Sequence, residues 1–167
     1  MNKTEKFILA DCEQFRKAFL KENDPLPNDD YRMKKADIFD IYGMGDRIYK
    51  NEYPVRRAEY VQEDGRIRID GDGLPLGYVK KGSVSKFRNM LSNPNFEKMY
   101  VEVHFGKYLE VKEDYRDGDP FLESGESDFG VDLFVVLKLR PAAPATAAAP
   151  AAEPVKKNGL FSRLFKK

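Results

Sequence analysis

Fourteen residues of almost pure alanine and proline, from Pro141 to Pro154, cut this chain in two. Repeated proline breaks any alanine helix and leaves no apolar face to bury, so residues 141–154 read as an extended linker. At roughly 3 Å per residue in a polyproline-like state, that linker reaches about 40 Å. Whatever folds must therefore do so within residues 1–140. That length suffices for one hydrophobic core and is too short for two full domains. Beyond the linker stands a short basic peptide, residues 155–167.

The 167 residues carry 29 Lys and Arg against 28 Asp and Glu, a formal charge of +1. That balance argues against a uniformly cationic nucleic-acid binder and leaves room for a local basic patch. It is unevenly spread: residues 141–167 hold five Lys and Arg against one Glu, leaving 24 against 27 in the body. Cys12 is the only cysteine, so no internal disulfide staples the fold, and a reducing, cytoplasmic setting fits best. His104 is the only histidine. A zinc site of Cys and His ligands cannot be assembled in one chain, and any Ser-His or Cys-His pair has to use that residue. Met1 to Leu9 has no apolar signal-peptide core, and no stretch approaches ~18 apolar residues, so secretion and a spanning helix are disfavoured.

Spacing predicts a helix over Thr4 to Lys21, capped by Thr4, because Ile8, Cys12, Phe15 and Phe19 fall on one face. Residues 23–30, rich in Pro, Asn and Asp, read as a loop. From Ala36 the pattern turns β-like. Ile38 to Tyr42, Pro54 to Val61, Arg66 to Ile69, Leu76 to Lys80, Met99 to Phe105, Tyr108 to Val111 and Val131 to Leu139 are short runs of Val, Ile, Tyr and Phe between Gly and Asp clusters. Asp64-Gly65 marks a hairpin, and the Gly-Asp-Gly run before Pro75 marks the next reversal. Ser83 to Ser92 predicts a crossover helix capped by Ser83, with Val84, Phe87 and Leu91 on one face. The expected fold is α+β: a small twisted antiparallel sheet or barrel, an N-terminal helix and one crossover helix.

Gly43-Met-Gly45 and Gly71-Asp-Gly73 lack the rest of a dinucleotide fingerprint or phosphate loop and read as turns. Glu110 to Asp132 carries nine Asp and Glu against Lys112 and Arg116. Oxygen ligands at that density suit Ca²⁺ or Mg²⁺, but the glycine and glutamate of a calcium loop are missing, so the run reads as a solvated acidic loop. No metal or other cofactor is expected. Alternation over Met99 to Phe105 puts Tyr100, Glu102 and His104 on one face and Val101, Val103 and Phe105 on the other. His104 is either a surface histidine beside Glu102 or a site residue. No nucleophile stands at a diagnostic spacing from it, so the chain reads as non-enzymatic.

Between Arg47 and Arg88, ten Lys and Arg against six acids interleave with Tyr49, Tyr53, Tyr60, Tyr78 and Phe87. Cations neutralise phosphates and flat rings stack bases, so one surface carrying both suits single-stranded nucleic acid. Half of these aromatics are nevertheless expected in the core of so small a domain. The candidate binding residues are Arg56, Arg57, Asp64, Tyr78, Lys80, Lys81, Lys86 and Arg88.

The run from Leu74 to Leu91, with its Leu-Gly-Tyr-Val element, follows a β-rich stretch beginning Ile38-Phe-Asp-Ile-Tyr-Gly43. It resembles the HIRAN domain, in which such a strand leads into a helix and then a strand like Met99 to Phe105. The resemblance covers at most Ile38 to Val111. It implies a small barrel-like module of the OB or SH3 type, some members of which bind the 3′ end of single-stranded DNA. On this resemblance Arg57 and Asp64 match the arginine and aspartate of the family's pocket stretch. The family's asparagine and tyrosine fall on Val61 and Glu63, and a pocket so altered should hold a phosphate-bearing end poorly.

In the terminal peptide, a helix would gather Leu160, Phe161, Leu164 and Phe165 on one stripe with Arg163, Lys166 and Lys167 beside it. Such a basic amphipathic peptide points to docking on an anionic membrane or in a partner protein's groove. The second function the sequence supports is therefore an interaction adaptor.

Overall fold

The computed structural model describes residues 1–139. The linker and terminal peptide lie outside the described residues, and with them the docking residues Leu160, Phe161, Arg163, Leu164 and Phe165. The elements in order are β1 (Asn2–Ile8), α1 (Arg16–Glu22), β2 (Leu26–Pro27), α2 (Lys35–Ile41), β3 (Arg47–Tyr49), β4 (Asn51–Glu52), β5 (Ala58–Glu63), β6 (Arg66–Gly71), β7 (Leu74–Tyr78), α3 (Val84–Leu91), β8 (Phe96–Glu113) and β9 (Pro120–Lys138). The class is α+β with antiparallel sheets, as expected.

Strands β8 and β9 pair along almost their whole lengths, from Phe96↔Leu137 to Glu113↔Pro120. At ~3.3 Å per residue each runs for about 60 Å, some three times an ordinary strand. β1 pairs with the C-terminal half of β9 and β3 with the distal half of β8, giving a four-stranded sheet ordered β1-β9-β8-β3. β5, β6 and β7 form a separate three-stranded meander, and β2 and β4 a two-residue ribbon. Two isolated bridges, Ala10–Tyr78 and Tyr53–Val103, stitch the sheets at their margins. Among the described residues no ladder closes them into a barrel.

The hairpin carries two register shifts, one at its open end between Phe96 and Lys98 and one at its middle. Between His104↔Gly130 and Gly106↔Ser127, one residue of β8 faces two of β9. On β8 the buried positions stay odd-numbered across it, Val101 and Val103 and then Val111. On β9 the inward positions change from buried Val131, Leu133 and Val135 to half-buried Leu122. An extra residue in one strand inverts its alternation. Here the inversion lets each half of one hairpin face its own core. The C-terminal half meets Phe7, Leu9, Phe19, Ile69, Leu76 and Phe87, contributed by β1, α1, α3 and the meander. The distal half meets Ile38 of α2 and Ile48 of β3. Each fully buried Ile, Leu or Phe contributes roughly 1.5–3 kcal/mol.

Both expected reversals of the meander are present. Asp64 and Gly65, and again Asp72 and Gly73, all have positive φ, which the tight hairpin turn demands at both of its central residues. The crossover helix is also present, although Ser83 at its N-cap position makes no side-chain capping bond.

Other expectations are corrected. The N-terminal helix over Thr4 to Lys21 is a strand, a 3-10 turn at Cys12–Phe15 and a helix confined to Arg16–Glu22. Thr4 lies inside β1, and Ile8 points outward while Phe7 and Leu9 are buried, an alternation set by pairing with β9 rather than by helical spacing. Ile38 to Tyr42, read as a strand, is the end of α2 and its C-cap residue Tyr42, and the helix buries Ile38 and leaves Ile41 exposed. Glu110 to Asp132, read as an acidic loop, is mostly strand. Its loop shrinks to residues 114–119 because Leu109, Val111 and Leu122 have a core to reach.

Among the described residues no helix is long and apolar enough to cross a membrane. Cys12 is buried, and burial pushes its thiol up to about 11. An alkylating reagent at pH ~8 attacks the thiolate, so the folded chain should resist modification and the chain in denaturant should react fully. Rapid labelling of the folded chain, followed by mass spectrometry, would contradict the placement of Cys12.

Candidate functional site

The residues expected to form one basic and aromatic surface are divided by the meander. β5, Ala58–Glu63, separates Arg57, just before it, from Asp64, just after it, by about 20 Å. At one end, the backbone N–H groups of Arg56 and Arg57 donate to the Asp72 carboxylate (3.1 and 2.9 Å), and the Arg57 side chain pairs with Glu59 at 2.6 Å. At the other end, the Tyr78 ring is covered by the Arg66 guanidinium (3.8 Å to its centre), and its hydroxyl donates to Glu63. Lys86 pairs with Glu5. Phe87 and Tyr53 are buried in the main core. Arg56, Lys80, Lys81 and Arg88 are exposed and make no ion pair among the described residues.

Rings and cations do meet elsewhere, on the outer face of the four-stranded sheet, the side of β8 opposite Val101 and Val103. Tyr100 stacks on its cross-strand partner Phe134, centroids 4.9 Å apart and planes at 12°. Lys98 lies 5.9 Å from the Tyr100 ring centre and Lys6 6.0 Å from that of Phe134. Farther along, Tyr49 stacks on His104 (5.5 Å, 27°) and tilts against its own cross-strand partner Tyr108 (5.6 Å). The Arg47 guanidinium covers the Tyr108 ring at 4.3 Å and pairs with Glu110 at 3.0 Å. Between the two aromatic groups, Asp132 accepts from Lys6 at 2.8 Å and faces His104 Nε2 at 3.6 Å.

Two glycines let these rings lie flat. His104 faces Gly130 across the ladder and Tyr108 faces Gly125. A methyl group built on Gly130 would overlap His104 Cε1, and one on Gly125 would overlap the Tyr108 ring. Each ring thus occupies the volume that a side chain opposite would take. A cleft of about 420 Å³ opens beside this row, lined by Tyr42, Arg47, Tyr49, Tyr53, Glu102 and His104 among others. Among the described residues, His104 Nδ1 and Ser127 Oγ, on either side of the middle register shift, are buried with no protein hydrogen-bond partner. Among the described residues no three His, Cys, Asp or Glu side chains converge to hold a metal ion.

Alternation in the sequence had already placed Tyr100, Glu102 and His104 on one face. It could not supply Phe134, Asp132, Lys6 or Tyr49, whose places depend on the register of three other strands.

Burial pushes the Asp132 carboxyl up, but His104 and Lys6 more than reverse this and hold it below its ordinary value of 3.8. A carboxyl lowered in the folded state stabilises the fold above its unfolded value, and the benefit is lost as pH falls through the folded one. Asp132→Asn should therefore cost about 1–2 kcal/mol at pH 7 and progressively less as pH falls below 3.8, as read by urea unfolding at neutral and at acid pH. Equal costs at the two would contradict this. Gly130→Ala should cost about 1–3 kcal/mol by overpacking, and most of that cost should vanish when His104 is also replaced by Ala. Additive losses in the four-member cycle would separate the two residues.

No family model, no curated protein and no solved structure matches the chain.

Proposed function

We propose that this protein is a non-enzymatic binding module that holds a short stretch of single-stranded nucleic acid on the outer face of its four-stranded sheet. One observation carries the reading: Phe134, Tyr100, His104, Tyr49 and Tyr108 follow one another across β9, β8 and β3, with Lys6, Lys98 and Arg47 among them. Every base has a flat face, so stacking on such rings is worth about 1–3 kcal/mol per base with little regard to sequence. The neighbouring cations meet the phosphates and fix the strand's direction.

Acids share the face. Asp132 and Glu110 already pair with Lys6 and Arg47, so few phosphates are neutralised on binding. With about two such contacts, log affinity should fall with log salt at a slope of roughly −1.4, a shallow dependence. Stacking then supplies most of the affinity. Arg56, Lys80, Lys81 and Arg88 lie outside this row and contribute attraction at longer range.

In this reading the sheets form an opened relative of the small barrel that the HIRAN resemblance implies. The Ala10–Tyr78 bridge joins the end of β1 to the meander, and the Tyr53–Val103 bridge brings the segment before β5 beside β8. The binding face moves from the Arg57 and Asp64 positions to the longer sheet. The buried, unreactive Cys12 suits a reducing cytoplasm.

The test is anisotropy of a labelled single-stranded oligonucleotide with the full chain at ~50 mM salt. Tyr100→Ala and Tyr49→Ala should each weaken binding about fivefold or more, while Arg57→Ala changes it by less than about twofold. Absence of binding, or a loss that follows Arg57 and spares Tyr100, would overturn the proposal.

A further inference from the structure

The distal end of the β8–β9 hairpin holds a second cleft, of about 840 Å³, away from the aromatic row. Three large apolar side chains in its lining stand open to solvent: Tyr115 fully, Met44 at 52% and Phe121 at 42%. Glu110, Glu113, Asp114 and Glu123 surround them. Arg47 pairs with Glu110 and Lys112 with Glu123, whereas Glu113 and Asp114 have no cationic partner among the described residues. Residues 110–128 as a whole carry eight Asp and Glu against two Lys and Arg. Clustered exposed apolar side chains in an acidic setting suit a ligand that is both apolar and cationic.

We propose that the occupant is this chain's own C-terminal peptide, residues 155–167. It brings Leu160, Phe161, Leu164 and Phe165 together with Lys156, Lys157, Arg163, Lys166 and Lys167, and contains no acid. The lengths also agree. From Glu123 to Lys138, β9 carries the chain about 50 Å away from the cleft. The sixteen residues 139–154, in the extended state their prolines favour, return about 50 Å at ~3.1 Å each. Tethering holds the peptide at an effective concentration on the order of millimolar. Four apolar side chains and exposed charges that would bind only weakly as a separate peptide are thereby kept in place. The docking is independent of the nucleic-acid reading, since it uses none of the sheet-face residues apart from the rim residue Glu110.

The experiment uses the full chain, isotope-labelled and dilute, with Asn158→Cys carrying a nitroxide. Cys12 remains unmodified because it is buried. Amide signals of Met44, Gly45, residues 113–119 and Phe121 should lose roughly half their intensity or more at low salt. That loss should disappear in the Glu113→Lys, Asp114→Lys variant, and also near 1 M salt, where screening acts within ~3 Å. Unchanged core amides of Val131 and Leu133 show that the variant remains folded. The proposal is overturned by absence of broadening, by broadening elsewhere on the body, or by broadening that survives charge reversal. It is equally overturned if an isotope-labelled chain without nitroxide broadens to the same extent when mixed with a nitroxide-bearing one, because the contact is then between copies.

Discussion

The register shift between His104↔Gly130 and Gly106↔Ser127 is the constraint on which the structure depends. A hairpin of about 60 Å cannot keep one straight, perfectly alternating ladder and still serve two cores that lie at its two ends. One additional residue in β9 resolves the conflict, because it inverts alternation on that strand alone. Val131, Leu133 and Val135 then meet the core shared with β1 and the meander, while Leu122 meets the core built on Ile38 and Ile48. Remove the additional residue and one half of β9 would turn its apolar side chains to solvent.

The same shift shapes the outer face. Alternation that directs Val101 and Val103 inward directs Tyr100, Glu102 and His104 outward, and cross-strand pairing then sets Tyr100 on Phe134 and His104 on Gly130. A glycine opposite a ring leaves open the space in which that ring lies flat. Glycine in a strand ordinarily weakens it, and here His104 and Tyr108 cover the exposed backbone at the two positions where that weakness occurs. A row of half-buried rings results, held from beneath by the sheet and from the sides by Lys6, Lys98 and Arg47. The cations are shared with Asp132 and Glu110, so the face is richer in stacking surface than in net charge.

Locally encoded features were legible in the sequence. The Asp-Gly turns of the meander require positive φ that only a few residue types accept, and α3 is bounded by Ser83 and Pro94 with an amphipathic run between. Features decided by distant partners were not. Ile8, Cys12, Phe15 and Phe19 match a helical stripe by coincidence, because residues 2–8 are committed to β9 by pairing rather than by their own spacing. The β-prone run at Ile38 was won by a helix that needs to bury one side chain. Charges at Glu110, Glu113 and Glu123 disguised two strands as a loop, since only their alternate neighbours are apolar. The candidate surface followed the same rule. Density of Arg, Lys and Tyr along residues 47–88 suggested a single patch, but a meander places successive residues at opposite ends, and ion pairs with Glu5, Glu59, Glu63 and Asp11 absorbed several of the cations.

The central claim is that ligand contact follows the row of rings across β9, β8 and β3. Its most direct measurement is an amide chemical-shift map of the full chain during titration with a single-stranded oligonucleotide. The account requires the largest shifts at Tyr49, Lys98, Tyr100, His104, Tyr108 and Phe134. Shifts gathered instead around Arg57, Asp64 and Lys80, with that row silent, would contradict it.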